Sequence, residues 1–125
     1  MPRPTSPTLT EAELRLMKVL WDRGPSTTSE VVTALASEVS LAESTVRTML
    51  GILKEKGYVD STPRGRAFVY HPLVGQAEAR RGVLHYLLHR FFDGSREELV
   101  LNVLNDEELD PEEIARIRRL IQESE

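Results

Sequence analysis

Cysteine is absent from the chain. That excludes a disulfide, a thiolate metal site and thiol redox chemistry. No apolar run approaches the roughly 20 residues that a membrane-spanning helix requires, and the opening MPRPTSPT carries no apolar core of a secretion signal. A cytoplasmic protein without membrane insertion is expected. A glycine-rich phosphate loop is missing too, as is any pairing of a nucleophile with a base. The sequence therefore reads as a non-enzyme that requires no cofactor. His85 and His89 stand four apart on one expected helix, but two ligands are half a metal site and no third is apparent. No metal is expected.

What is present is ordinary in amount and uneven in placement. The chain has 125 residues, 40% of them hydrophobic and 29% charged, as a soluble globular protein does. That length is one domain, or a small domain with an appendage. The formal net charge is −4, yet residues 1–72 hold 9 Lys/Arg against 8 Asp/Glu, while residues 73–125 hold 7 against 12. Within 44–72 the balance is 5 basic to 2 acidic. A locally basic segment sits in an acidic chain, and that distribution matters more for nucleic-acid binding than the sum.

Residues 1–8, with three prolines, read as a disordered lead-in. Thr10 and Glu13 then form a capping box, with Leu9 and Leu14 as a hydrophobic staple, and Leu14, Met17, Leu20 and Trp21 follow at helical spacing before Gly24-Pro25 ends the helix. A second box, Thr27 with Glu30, opens a short helix carrying Val31, Val32 and Leu35 inward. A third, Ser40 with Glu43, opens a helix whose inward stripe is Val46, Met49, Leu50 and Leu53, and Gly57 offers a left-handed residue at its end. Tyr58–Thr62 and Ala67–His71 are β-prone runs joined by Pro63-Arg64-Gly65-Arg66, which reads as a hairpin. After Pro72 the pattern is helical: Gln76–Phe92, stopped by Asp93-Gly94; a helix opened by a box of Ser95 with Glu98; and a last one started by Asp110-Pro111, with Leu109 and Ile114 as a second staple.

Three helices and a hairpin in this order make a winged helix-turn-helix domain over 9–74. A helical region over 75–125 follows, giving a mainly α fold with a small β-hairpin wing. The apolar stripes Leu84/Leu88, Leu99/Val103 and Ile114/Ile117/Leu120/Ile121 belong to a tail too small to bury them alone. Dimerisation of two copies through this region is expected.

The outward face of the third helix carries Ser44, Thr45, Arg47 and Thr48 in place of the usual Glu/Lys mixture. In a helix-turn-helix this helix lies in the DNA major groove. Hydroxyls there can donate or accept, a threonine methyl can touch thymine, and arginine reads guanine. Arg64 and Arg66 at the hairpin tip can reach a phosphate or the minor groove, Lys54 and Lys56 can hold the backbone, and Thr27 is placed for a phosphate contact at a helix start.

The runs TVRTMLGILKEKGYV (45–59), GRAFVYHPLV (65–74) and LTEAELRLMKVLWDRGPSTTSEVV (9–32) resemble the penicillinase-repressor family, the BlaI/MecI/CopY transcriptional regulators. The resemblance spans roughly Leu9 to Ile121. It implies a homodimeric repressor on a double-stranded DNA operator with dyad symmetry. It also implies release by proteolysis in a VLN-type segment, here Val100-Leu101-Asn102, at the Asn102–Val103 bond, with a membrane-bound sensor metalloprotease as partner. Two departures stand out. Gly51 and Ile52 replace the basic residue that many members carry in the second half of the recognition helix, and the cysteines of the copper-sensing branch are absent. Two other readings fit the residues: a winged-helix protein-interaction module without DNA binding, and a ligand-sensing regulator, which requires an apolar pocket with convergent polar groups.

Overall fold

The computed structural model describes residues 9–105 and 110–123. The expected lead-in over 1–8, and Leu109 of the second staple, lie outside the described residues. The elements run α1 (Glu11–Arg23), β1 (Ser26–Thr27), α2 (Thr28–Leu35), α3 (Glu43–Glu55), β2 (Val59–Arg64), β3 (Ala67–Pro72), α4 (Gln76–Phe91), α5 (Arg96–Leu104) and α6 (Pro111–Glu123). Two compact units divide inside α4, between Val83 and Leu84.

In the first unit α1, α2 and α3 enclose one core with the base of a three-stranded antiparallel sheet of order β1-β3-β2. Leu16, Met17 and Leu20 meet Val31 and Leu35, then Val46, Leu50 and Leu53, with Tyr58, Val59, Tyr70 and Val74 closing the base. Leu16 is fully buried, although the expected stripe ran through Leu14, which is only half-buried. The buried row of α1 is Glu13, Leu16, Met17 and Leu20. It is a regular i, i+3, i+4, i+7 stripe that a glutamate disguises. The indole N–H of Trp21 donates to the Val74 carbonyl at 2.9 Å, fastening α1 to the chain leaving β3.

The local punctuation follows from known end chemistry. Thr10 with Glu13 and Thr27 with Glu30 both form reciprocal capping boxes. The expected box of Ser40 with Glu43 does not form: α3 begins later, with Ala42 as N-cap and no side-chain cap hydrogen bond. Leu41 packs on the core instead and Val46 lies within it. These two occupy staple positions on either side of the cap, so burial of Leu41 sets the helix start in place of a hydroxyl. Only half of the box at Ser95 forms, its hydroxyl accepting from the Glu98 amide at 3.2 Å.

β1 has no periodic signature and lies outside the sequence reading. Ser26 pairs with Tyr70 and Thr27 with Val69, so this two-residue strand extends the hairpin into a sheet. The hairpin turn is tighter than the expected four residues, since Pro63 and Arg64 belong to β2 and pair with Phe68 and Ala67.

In the second unit Leu88 is buried, 7% exposed, whereas α5 and α6 hold no buried residue. The α4 end is closed by the Gly94 amide donating to the Leu88 carbonyl at 2.8 Å, with Asp93 and Gly94 at φ 48° and 82°. No helix among the described residues is long and apolar enough to cross a membrane.

Candidate nucleic-acid interface

The C-terminus of α3 is locked. The Tyr58 amide donates to the Leu53 carbonyl and the Gly57 amide to the Lys54 carbonyl, at 3.0 and 3.1 Å, with Gly57 at φ 86°. These are the two bonds of a Schellman motif. With Val46, Leu50 and Leu53 fully buried, the opposite face of α3 is held outward. Ser44, Thr45, Arg47 and Thr48 are all exposed on it. The Thr48 hydroxyl donates to the Ser44 carbonyl at 3.0 Å, so outward it offers a lone pair and a methyl. Arg47 lies 3.4 Å from the Glu43 carboxylate, one turn earlier.

The wing is a ribbon whose outer part, residues 62–68, is wholly exposed. Gly65 at φ 63° occupies the first central position of the two-residue connection, as a type II′ turn requires, and places Arg64 and Arg66 at the tip. Phe68 stands beside them 52% exposed. It is an apolar ring on a polar ribbon, and sequence reading assigned it only to a strand.

The lysines divide. Lys54 donates to the Ser61 hydroxyl at 2.9 Å and lies 3.9 Å from Asp60. It ties α3 to the root of β2 while half its side chain stays exposed. Lys56 does not face outward as a phosphate contact. Its ammonium donates to both carboxylate oxygens of buried Glu13, at 2.9 and 2.8 Å. Burial works to raise the Glu13 carboxyl, but the Lys56 hydrogen bond, the Thr10 amide and the Lys56 charge together hold it below its ordinary value. Burial, then the Glu13 charge, pushes the Tyr58 hydroxyl up, so it stays neutral in the core.

Thr27 is half-buried. Its hydroxyl accepts from the Glu30 amide at 3.2 Å while its own amide donates to the Glu30 carboxylate at 2.8 Å. Hydrogen bonds from Thr27, first from its amide, hold the Glu30 carboxyl low, with Arg64 and Arg23 adding their charge. Thr27 is thus first a helix cap. It also lines a cleft of about 440 Å³ between the α2 start, the α3 start and the wing, with Thr28, Ser29, Glu43, Arg47, Arg66, Phe68 and Tyr70 around it. This cleft brings together Thr27, Arg47 and Arg66 of the expected residues; Glu43 and Phe68 are its additions.

In the tail, Leu84, Val103, Leu120 and Ile121 are half or more exposed, Leu99, Ile114 and Ile117 are half-buried, and Leu88 is covered within the one chain. Phe91 is 65% exposed and joins the apolar surface. Asn102 lies inside α5, its side-chain amide donating to the Glu98 carbonyl at 2.8 Å. The His85 and His89 rings meet edge-on at 4.3 Å, and among the described residues no three acidic or histidine side chains cluster as metal ligands.

Three helices and a ribbon on a shared core, with the third helix turned outward beside the ribbon, are the architecture of winged helix-turn-helix proteins. The DNA-binding domain of the repressor BlaI is similar in structure, with a TM-score of 0.53 at 33% identity, covering 60% of this chain and 92% of that one. The transcriptional regulator Tm0710 of Thermotoga maritima shares the fold at 22% identity and a TM-score of 0.53, over 91% of this chain and 72% of its own. The family model described as Penicillinase repressor matches residues 9–123. The penicillinase repressor of Bacillus licheniformis is 33% identical over 117 residues, 94% of this chain and 91% of that protein. The methicillin resistance regulatory protein MecI of Staphylococcus aureus is 22% identical over 113 residues, covering 90% and 92%. The chain belongs to the penicillinase repressor family.

Proposed function

We propose that this protein acts as a cytoplasmic homodimer on a dyad DNA operator, with α3 in the major groove and the wing on the adjoining backbone. Membership of the family makes it a DNA-binding transcriptional repressor. The observation that carries the geometric reading is the exposed row Ser44, Thr45, Arg47 and Thr48, of which Arg47 shares one cleft with Arg66. A helix read by its N-terminal residues meets base edges. Arg47 suits guanine, Thr45 and Thr48 suit a thymine methyl or an adjacent acceptor, and Arg64 and Arg66 supply sequence-independent charge. Lys54 adds a phosphate contact with the donors that Ser61 leaves.

The tail supports a dimer through its apolar surface. Leu84, Phe91, Val103 and Leu120 all stand half or more exposed, large apolar side chains that a second copy can cover. Release by cleavage of Asn102–Val103, performed by a membrane-bound metalloprotease, is consistent with an α5 that holds no buried residue. Its last turn can unwind into an extended strand without exposing a core.

Binding to operator duplexes across a salt series tests the reading. Observed affinity should fall linearly on a log–log plot, and Arg47→Ala should cost about 1–3 kcal/mol per half-site while relaxing one position of the preference. No binding to duplex DNA even at low salt would favour a protein-interaction module instead.

A further inference from the structure

Resting on the DNA-binding reading, we propose that Glu43 is a specificity-determining residue whose carboxylate accepts a hydrogen bond from a cytosine amino group beside the guanine contacted by Arg47. Glu43 is the first residue of α3 and its N-cap, Ala42, supplies no side-chain oxygen. The carboxylate is one position into the helix, not the third position that a capping box requires, so it is not recruited to the helix end. It points instead into the cleft that holds Arg47 and Arg66 and is the one acidic side chain lining it. Its side chain is 52% exposed and that of Arg47 is 61% exposed, so the 3.4 Å contact between them is a loose pairing in water that either partner can leave.

In a major groove the surroundings of this carboxylate change. Phosphates repel it, which penalises any docking that brings the α3 start against backbone alone. One base edge welcomes it: cytosine presents an amino donor there, and glutamate is the side chain suited to accept from it. Residues four apart on a helix lie side by side on one face. Glu43 and Arg47 therefore present an acceptor and a forked donor next to each other, and a C·G pair or two adjoining pairs present the complement, cytosine N4–H₂ with guanine O6 and N7. The same carboxylate adds attraction at the right site and repulsion elsewhere, the two halves of specificity.

The test uses the full chain against a pool of randomised duplexes, followed by titration of the selected duplexes with each base at every half-site position. The wild type should select cytosine at one fixed position per half-site, near the guanine whose selection depends on Arg47. Glu43→Gln, nearly identical in shape, should move that preference from cytosine towards adenine, because glutamine pairs with the adenine N6/N7 edge. Glu43→Ala should lose discrimination there by about tenfold or more, with the guanine preference intact. Both variants should bind unselected duplex more tightly than wild type and melt with it. If both raise affinity for every duplex alike and leave the selected sequence unchanged, the carboxylate reads no base and the inference fails while the DNA-binding reading stands. A wild type that selects no sequence overturns both.

Discussion

Lys56 and Glu13 are 43 positions apart in the chain, and their pairing decides what each residue is for. Glu13 is the one charged residue buried among the described residues, its side chain 8% exposed. Removing its partner strands a desolvated carboxylate, so Lys56→Met should cost about 1–3 kcal/mol in urea unfolding. Lys54→Met, at a half-exposed contact, should stay within about 1 kcal/mol. The acid limb follows from the direction of the Glu13 shift. Its folded value is below the ordinary 4.5, so its contribution is complete above that pH and is lost as pH falls through the lower folded value. Urea midpoints measured from neutral pH into that range should decline in the wild type, and the decline should be smaller in Lys56→Met, which keeps the Thr10 hydrogen bond to Glu13 and the capped Glu30. None of this was legible in a sequence window. A lysine in a basic segment reads as a phosphate contact, and a glutamate inside an apolar stripe hides the stripe. Arg47, Ser44, Thr45 and Thr48 were legible because helical spacing alone turns them outward.

Among the elements, those with chemistry at their ends could be read and those held only by distant partners could not. Gly57 illustrates the first case. A left-handed residue followed by tyrosine terminates α3, and Gly57→Ala, forced to φ 86°, should lose roughly 1–2 kcal/mol of stability by thermal melting. β1 illustrates the second: two residues without alternation become a strand because β3 lies alongside. The start of α3 fell between, since a serine three residues before a glutamate mimics a cap while Leu41 takes the decisive position through packing. The wing carries its own expectation. Phe68 is half exposed and contributes little to the core, so Phe68→Ala should leave the melting temperature nearly unchanged. It should weaken operator binding severalfold in a titration, by removing apolar contact with a deoxyribose or a thymine methyl.

For the molecule as a whole, the more basic and more acidic parts of the chain correspond to the two tasks proposed for them, recognition by residues up to Val83 and assembly by the tail. A chain ending at Val83 keeps Val74 and Ala79, which belong to or pack on the first core, and should sediment as a folded monomer with weak operator affinity. The intact chain should sediment as a dimer at micromolar concentration. A chain ending at Asn102 lacks all of α6 and the apolar Val103. It should lose the avidity of joined half-sites, roughly 10²–10⁴ in affinity, while α3 and the wing keep their fold. The tail was legible as helical and apolar, but which side chains remain uncovered was not: Leu88, expected on the dimerisation stripe, is buried within the one chain, while Phe91, to which spacing assigns no role, is 65% exposed.

The brevity of β1 has a mechanical consequence. Three strands abut only where Ser26 and Thr27 meet Tyr70 and Val69, and beyond Phe68 the ribbon is two strands wide. The wing is therefore a cantilever, clamped at Val69 and loaded at Arg66. Amide hydrogens at Val69 and Tyr70 should exchange slowly and those at Arg66 and Ala67 fast, a step measurable by exchange mass spectrometry or NMR. A clamped beam with a compliant tip lets the arginines track a backbone whose groove width varies with sequence. The bending stays within a few residues and leaves the angle of α3 undisturbed.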